Sequence, residues 1–409
     1  MTASVDRWAD VYRDIHAHPE LGFAETRTAG IVESHLMSMG FEVTTGVGGT
    51  GVVGLLRNGP GPLVLVRADM DALPVLEATG LPYASTQVST DAAGNQTPVM
   101  HACGHDLHVT CLLGACERLT ESQNTWSGTL MAVFQPAEEL GDGARAMIDD
   151  GLYARFGTPV VVLGQHVAPL PAGVIGLHVG AAFAAADSLT VTLHGQGAHG
   201  SRPEASVDPI VMAAATVLRV QTIVSREVPA GETAVVTIGT LHAGTAVNII
   251  PDRAELGFSI RTFSTDVRDQ VLAAIERIAR GEAATAGAPK PPDVELSYSF
   301  PAVINDKAAC ARTRPALQSV SPAIIDPGPV TGSEDVGLLA SAAGAPCVYW
   351  LLGGADPAVF DGATTIGEIA ARSRDLPSNH SPMFAPVIEP TVSTGIEALT
   401  GAATIWLQR

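Results

Sequence analysis

The segment His101-Ala-Cys-Gly-His-Asp-Leu-His108 gathers three imidazoles, one thiol and one carboxylate into eight residues. Neutral imidazole and thiolate are the donors that borderline divalent metals such as zinc prefer, and imidazole also serves other transition metals. A second cluster, Gln135-Pro-Ala-Glu-Glu139, follows an apolar run of strand character. Two adjacent carboxylates there can divide the work, one binding a metal while the other moves protons on water bound to it. Together the clusters point to a hydrolase. Two rival readings stay open at this level: Cys103 with His105 as a nucleophilic thiol pair, and Glu138 with Glu139 as a solvated pair of charges.

The elements that must carry these residues are legible as short apolar runs of the buried-strand kind at 51–57, 63–69, 129–135 and 160–166. Helical spacing through 5–40, ending at Gly40, and again at 109–119 and 144–150 predicts an α/β sheet covered on both faces. In all but the first run, site candidates come at or just past the carboxyl end: Asp69 and Asp71, Glu138 and Glu139, and His166. Open α/β sheets place ligands there. Asp69 and Asp71 read as carboxylates that orient metal-bound imidazoles, or as caps of the following turn. His16 and His18 stand two apart in an expected helix, face different ways, and read as structural. His101 and His108 divide evenly between supporting the ligands and packing.

From 186 to 300 the pattern changes to strand, helix, strand, strand, helix, strand, the ferredoxin-like βαββαβ order. The strand Cys347-Val-Tyr-Trp-Leu-Leu352 then returns to α/β character. The expected organisation is a discontinuous catalytic domain, 1–185 and 301–409, interrupted by an inserted domain, 186–300.

Composition narrows the function classes. Hydrophobic residues make up 46% of the 409, yet no apolar stretch reaches the ~18 to 20 residues that span a bilayer. The first ten residues lack the basic and apolar pattern of a signal peptide. Five cysteines, irregularly spaced, argue against a disulfide framework and for a reducing, cytoplasmic address. A formal charge of −19 disfavours nucleic acid and anionic membrane as partners. A small anionic substrate stays open, because local cations can reverse the field inside a site.

Eight ordered stretches resemble the M20 metallopeptidase family, specifically its amidohydrolase branch (subfamily D), which includes N-acyl-amino-acid and hippurate hydrolases. They are Asp14-Ile-His-Ala-His-Pro-Glu-Leu-Gly-Phe23, Arg67-Ala-Asp-Met-Asp-Ala-Leu-Pro74, Met100-His-Ala-Cys-Gly-His-Asp106, Phe134-Gln-Pro-Ala-Glu-Glu139, Gly164-Gln-His-Val167, Gly195-Gln-Gly-Ala-His-Gly-Ser201, Ala246-Val-Asn-Ile-Ile-Pro-Asp252 and Asn379-His-Ser-Pro-Met-Phe384. The resemblance covers nearly the whole chain.

It implies a zinc-peptidase-like α/β/α catalytic domain with a ferredoxin-like lid and dimerisation insert. It implies metal ligands at Cys103, His105, Glu139, His166 and His380, holding two divalent ions per subunit, Mn²⁺ or Zn²⁺ foremost and Co²⁺ or Ni²⁺ as further options. Glu138 becomes the general acid/base. His199 resembles a histidine that reaches a neighbouring subunit's site and helps bind the reacting carbonyl, and Asn248 and Arg261 resemble residues that bind the substrate carboxylate. The expected enzyme is a homodimer that hydrolyses the amide of an N-acyl amino acid or related small conjugate. The alternatives are a dipeptidase or carboxypeptidase of the same family, and a metal-bound homologue that binds without turnover. Where the branch has an aromatic-rich segment, this chain has Gly332-Ser-Glu-Asp-Val-Gly-Leu-Leu339 and Leu351-Leu-Gly-Gly-Ala-Asp356, so the acyl group is not read.

Overall fold

The helical spacing of residues 5–40 resolves into two helices, Thr2–His16 and Thr26–Ser38. Pro19 and a left-handed Phe23 (φ 62°) break the run between them. The computed structural model describes residues 2–90, 94–321 and 323–408. The chain folds as two units: Met1–Ala182, Ile304–Pro329 and Asp335–Arg409 make up one, Phe183–Val303 and Val330–Glu334 the other.

The first unit is built on a mixed sheet whose main strands run in the order Glu42–Val47, Gly51–Asn58, Gly128–Gln135, Leu63–Asp69, Val161–Pro171 and Cys347–Ala355. The first two pairings are antiparallel and the next three parallel. Apolar runs of Val, Leu and Ala bury both faces of the parallel strands, as helices on each side require. The helix His105–Glu121 packs on Thr391–Leu407 and on the sheet. Trp8, Trp126, Phe134, Trp350 and Leu399 anchor the apolar core between them. The expected strand 160–166 continues to Pro171, because Leu352, Gly353 and Ala355 go on pairing beyond His166. His166 therefore sits inside a strand and not at its end.

The second unit is a four-stranded antiparallel sheet in the order Ala234–Ala243, Arg253–Thr262, Ala185–His194, Asp293–Phe300. Burial alternates along Ala185–His194 and Arg253–Thr262, the period-two signature of a sheet with one covered face. That face packs on the helices Pro209–Thr222 and Thr265–Ala286, with Leu256, Ile260, Val271 and Ile275 among its core. Each helix starts on a side-chain cap: Asp208 accepts the Ile210 N–H ahead of Pro209, and Ser264 accepts the Val267 N–H. No helix among the described residues is long and apolar enough to cross a membrane.

Candidate metal centre

Two strand ends, the middle of a third strand and one helix start converge in the first unit. Asp69 ends its strand opposite Gln135, so Asp71 and the Glu138–Glu139 pair emerge side by side. The helix bearing His105 starts after Gly104, which is left-handed (φ 85°) and packed so closely that a Cβ there would meet Val167 Cγ1 at 2.3 Å. Glycine is thus required where the chain turns from Cys103 into the helix.

Cys103, His105 and His166 place their ligand atoms within 4.8 Å of one another, and so do Cys103, Glu139 and His380. Cys103 is the shared member of the two groups. His105, Glu138 and Glu139 form a third such group. His105 Nε2 lies 3.9 Å from Glu139 Oε1 and 4.0 Å from Glu138 Oε2. His380 Nε2 lies 3.3 Å from Glu139 Oε1.

The ring orientations are set by neighbours. His105 donates Nδ1–H to Asp71 Oδ1 at 3.2 Å, and its buried Nε2 has no hydrogen-bond partner among the described residues. His166 donates Nδ1–H to Val167 O at 2.8 Å, which leaves Nε2 unprotonated 3.5 Å from Cys103 Sγ. In the neutral form both imidazoles therefore carry their proton away from the cluster, the tautomer a metal ligand needs. His380 is left-handed (φ 71°). It is fixed there by its N–H on Ala102 O at 2.8 Å and by Asn379, whose amide donates to Cys103 O (3.1 Å) and Val167 O (3.2 Å).

The electrostatics call for cations. Burial works against a charged His105, but Asp69, Cys103 and the bond to Asp71 override it and hold the ring well above the usual imidazole range. Hydrogen bonding to Cys103 and Glu139 pushes His380 up to about 10. Burial would raise Glu139, yet His380 and His105 hold its carboxyl below the usual range. A thiol, three imidazoles and a carboxylate with an orphaned ring nitrogen fit divalent ions, which would take the place of those ring protons.

Asp71 bonds two of the site's residues, since its second oxygen accepts the Glu139 N–H at 2.9 Å. Asp69 acts one step further out. It accepts His108 Nδ1–H at 2.6 Å, and His108 Nε2 accepts the Val167 N–H at 2.8 Å. Both nitrogens of His108 are thereby used, so it holds the strand beside His166 in place of binding an ion. Beneath them, buried Arg67 bonds Asp69 (2.6 Å), Gln135 (2.9 Å) and Asp335 (2.8 Å). Asp335 also takes the Ala144 N–H at 3.0 Å. A charge inside the apolar run 63–69 is the one sequence signal for such a partner, since buried charges pair. Asp335 is consequently a strut that ties Arg67, Gln135 and the Ala144 backbone together.

His16, expected to be structural, is buried between Asp106 (2.7 Å) and Glu77 (3.2 Å). His18 lies in the turn after the helix and bonds Asp14 O. In the second unit His199 and Asn248 are both exposed and share one small ribbon, joined by the Gly200 N–H on Asn248 O at 2.7 Å. His199 Nδ1 accepts from Ser201 N–H at 3.1 Å and faces its hydroxyl at 2.8 Å, which leaves Nε2 as the ring's donor. Arg261 stands on Arg253–Thr262 opposite Ala186 and Val235.

The sequence model of the family described as Peptidase family M20/M25/M40 matches residues 65–365. The chain is 36% identical over 331 residues to N-acetyl-L-cysteine deacetylase of Bacillus subtilis (strain 168), covering 80% of this chain and 75% of that protein. It is 43% identical over 273 residues to hippurate hydrolase of Campylobacter jejuni, covering 66% and 68%. The fold matches the crystal structure of Bacillus subtilis YXEP, a dinuclear metal-binding peptidase from the M20 family, with a TM-score of 0.79 and 28% identity over 100% of this chain and 99% of that one.

Proposed function

The chain belongs to peptidase family M20/M25/M40, in its amidohydrolase branch, and we propose that it hydrolyses the amide bond of N-acyl amino acids or closely related conjugates at a two-ion centre. The observation that carries this reading is the pair of donor groups sharing Cys103, with the Glu138 carboxylate beside them. Cys103, His105 and His166 would hold one ion and Cys103, Glu139 and His380 the other. When bound, such ions lower the pKa of a coordinated water from about 15.7 to roughly 7 and polarise the amide carbonyl.

The chain's own residues do the rest. Glu138 takes the proton from the attacking water and delivers it to the leaving amine. Asp71 keeps the His105 proton on Nδ1 and ties the Glu139 backbone to the same carboxylate. His199 offers Nε2–H to the developing oxyanion, from its own chain or from a second copy, and Asn248 with Arg261 binds the substrate carboxylate; the paired donors of a guanidinium suit that task. We read the second unit as a ferredoxin-like lid and dimerisation domain, supported by its βαββαβ order and by Val235, Leu241, Val247 and Ile249, all exposed on or beside its edge strand. The five cysteines, all buried thiols, support a reducing, cytoplasmic setting.

The test is removal of metal by chelation, then readdition of Mn²⁺ or Zn²⁺ with acetyl, benzoyl and longer-chain N-acyl amino acids as substrates. Activity lost and restored is the expected result; full activity in thoroughly stripped protein would leave the thiol of Cys103 as the nucleophile. In parallel, Glu138→Ala is expected to keep its metal and to lose about 10²- to 10⁴-fold in turnover.

A further inference from the structure

Glu25 is fully buried at the start of the helix Thr26–Ser38, yet it does not cap that helix. The cap comes from Glu20, whose carboxylate accepts the N–H groups of Arg27 and Thr28 at 2.9 Å each and the Thr28 hydroxyl at 3.0 Å. Glu25 reaches away instead. One of its oxygens accepts the Ala137 N–H at 2.8 Å, and the other accepts the hydroxyl of Thr50.

Ala137 immediately precedes Glu138 and is left-handed (φ 47°), a conformation that a residue with a Cβ keeps only when its surroundings impose it. The loop carrying Glu25 lies directly on this turn. A Cβ on Gly22 would stand 3.1 Å from Ala137 Cβ and 3.0 Å from Leu140 Cδ1. The same loop holds the strand end opposite, where the Ala72 N–H donates to Glu20 O at 2.8 Å, next to Asp71. The peptide N–H before Glu138 is thus held by Glu25, and the one after it by Asp71 at 2.9 Å. Two carboxylates from separate segments grip the acidic pair from both sides.

We propose that Glu25 is a positioning residue for the Glu138–Glu139 turn: through the Ala137 N–H it holds the left-handed bend that aims both carboxylates into the centre. The inference rests on the reading of Glu139 as a ligand and Glu138 as the proton carrier. Burial pushes the Glu25 carboxyl up to about 7, so the residue is kept in place against its own desolvation. Its task needs an acceptor oxygen at one point and not a charge, which predicts that glutamine substitutes for it.

Glu25→Gln, Glu25→Ala and Thr50→Val are compared by calorimetric titration of chelator-stripped protein with Mn²⁺, by thermal unfolding, and by kcat and KM on an N-acyl amino acid that the wild type cleaves. Glu25→Gln is expected to bind Mn²⁺ within about threefold of wild type, whereas folded Glu25→Ala binds at least about tenfold more weakly and loses at least about tenfold in kcat with little change in KM. If Glu25→Ala does not fold, Thr50→Val decides; it removes only the hydroxyl that fixes the carboxylate and is expected to bind Mn²⁺ about threefold more weakly at a near-normal unfolding temperature. Wild-type Mn²⁺ affinity in folded Glu25→Ala overturns the proposal. So does unchanged affinity in Thr50→Val where Glu25→Ala is unfolded, and so does Glu25→Gln as defective as Glu25→Ala. A wild type that binds Mn²⁺ but cleaves no N-acyl amino acid overturns the proposed function alone, since the affinity comparison stands without it.

Discussion

Asp71 accepts the Nδ1–H of His105 across 3.2 Å, which in the neutral ring leaves Nε2 as the one lone pair. The tautomer of the proposed ligand His105 is therefore set by a neighbouring carboxylate. Because the other oxygen of Asp71 holds the Glu139 N–H, the carboxylate also ties His105 on its helix to Glu139 on its turn.

Asp71→Ala is expected to weaken metal binding by about 10- to 100-fold, the usual cost of losing an orienting carboxylate. Asp71→Asn should fall between the two, because an amide oxygen can still take the His105 proton. Metal titration of stripped protein checks this, and an Asp71→Ala protein with wild-type affinity would remove the orienting role.

Buried Arg67 is the second strut. It joins Asp69, Gln135 and Asp335, and Asp335 lies 268 positions away in sequence. Arg67→Met leaves two buried carboxylates without their cation, so unfolding free energy should drop by about 3 to 5 kcal/mol. Denaturant unfolding of the metal-loaded protein measures it. A loss under about 1 kcal/mol would mean that the network relaxes around the change.

The sequence can be read where the chemistry is local. Apolar runs with Asp69, Glu138 or Glu139 at or just past their carboxyl ends carry their own signal, and so does the spacing of Cys103 and His105. What stays hidden depends on partners far along the chain. Glu25 meets Ala137 across 112 positions, and His16 meets Asp106 across 90. Neither contact leaves a period in the sequence, so His16 can be read only as structural and Glu25 not at all. The true end of the strand carrying His166 depends on pairing with Cys347–Ala355, which no window around His166 contains.

His16 supplies a pH test of the same core. Burial disfavours its charge, but hydrogen bonds and charges from Asp106 and Glu77 outweigh this and push the ring up to about 10. Its folded value lies above the ordinary 6.5, so its contribution to stability is complete below pH 6.5 and is lost as pH rises through about 10. Over that window, stability should fall by on the order of 4 kcal/mol more in the wild type than in His16→Gln. Denaturation at saturating metal between pH 6 and pH 10 checks this, and parallel curves for the two proteins would show that His16 is neutral in the fold.

His199 offers the last test, because its ring is set up by a neighbour just as His105 is. Ser201 donates its N–H to Nδ1 at 3.1 Å, so the neutral ring presents Nε2–H outward as a donor. A donor to a developing oxyanion is worth about 10² to 10³ in turnover. His199→Ala should therefore lose activity on that scale while keeping its full metal content, unlike a ligand variant. Mixing inactive His199→Ala with inactive Glu138→Ala under conditions of subunit exchange then locates the action. If the donor serves a second copy, each mixed dimer holds one site with both native residues, and activity returns. If exchange is verified and nothing returns, His199 serves its own chain, and a protein that sediments as a monomer at all concentrations removes the dimer itself.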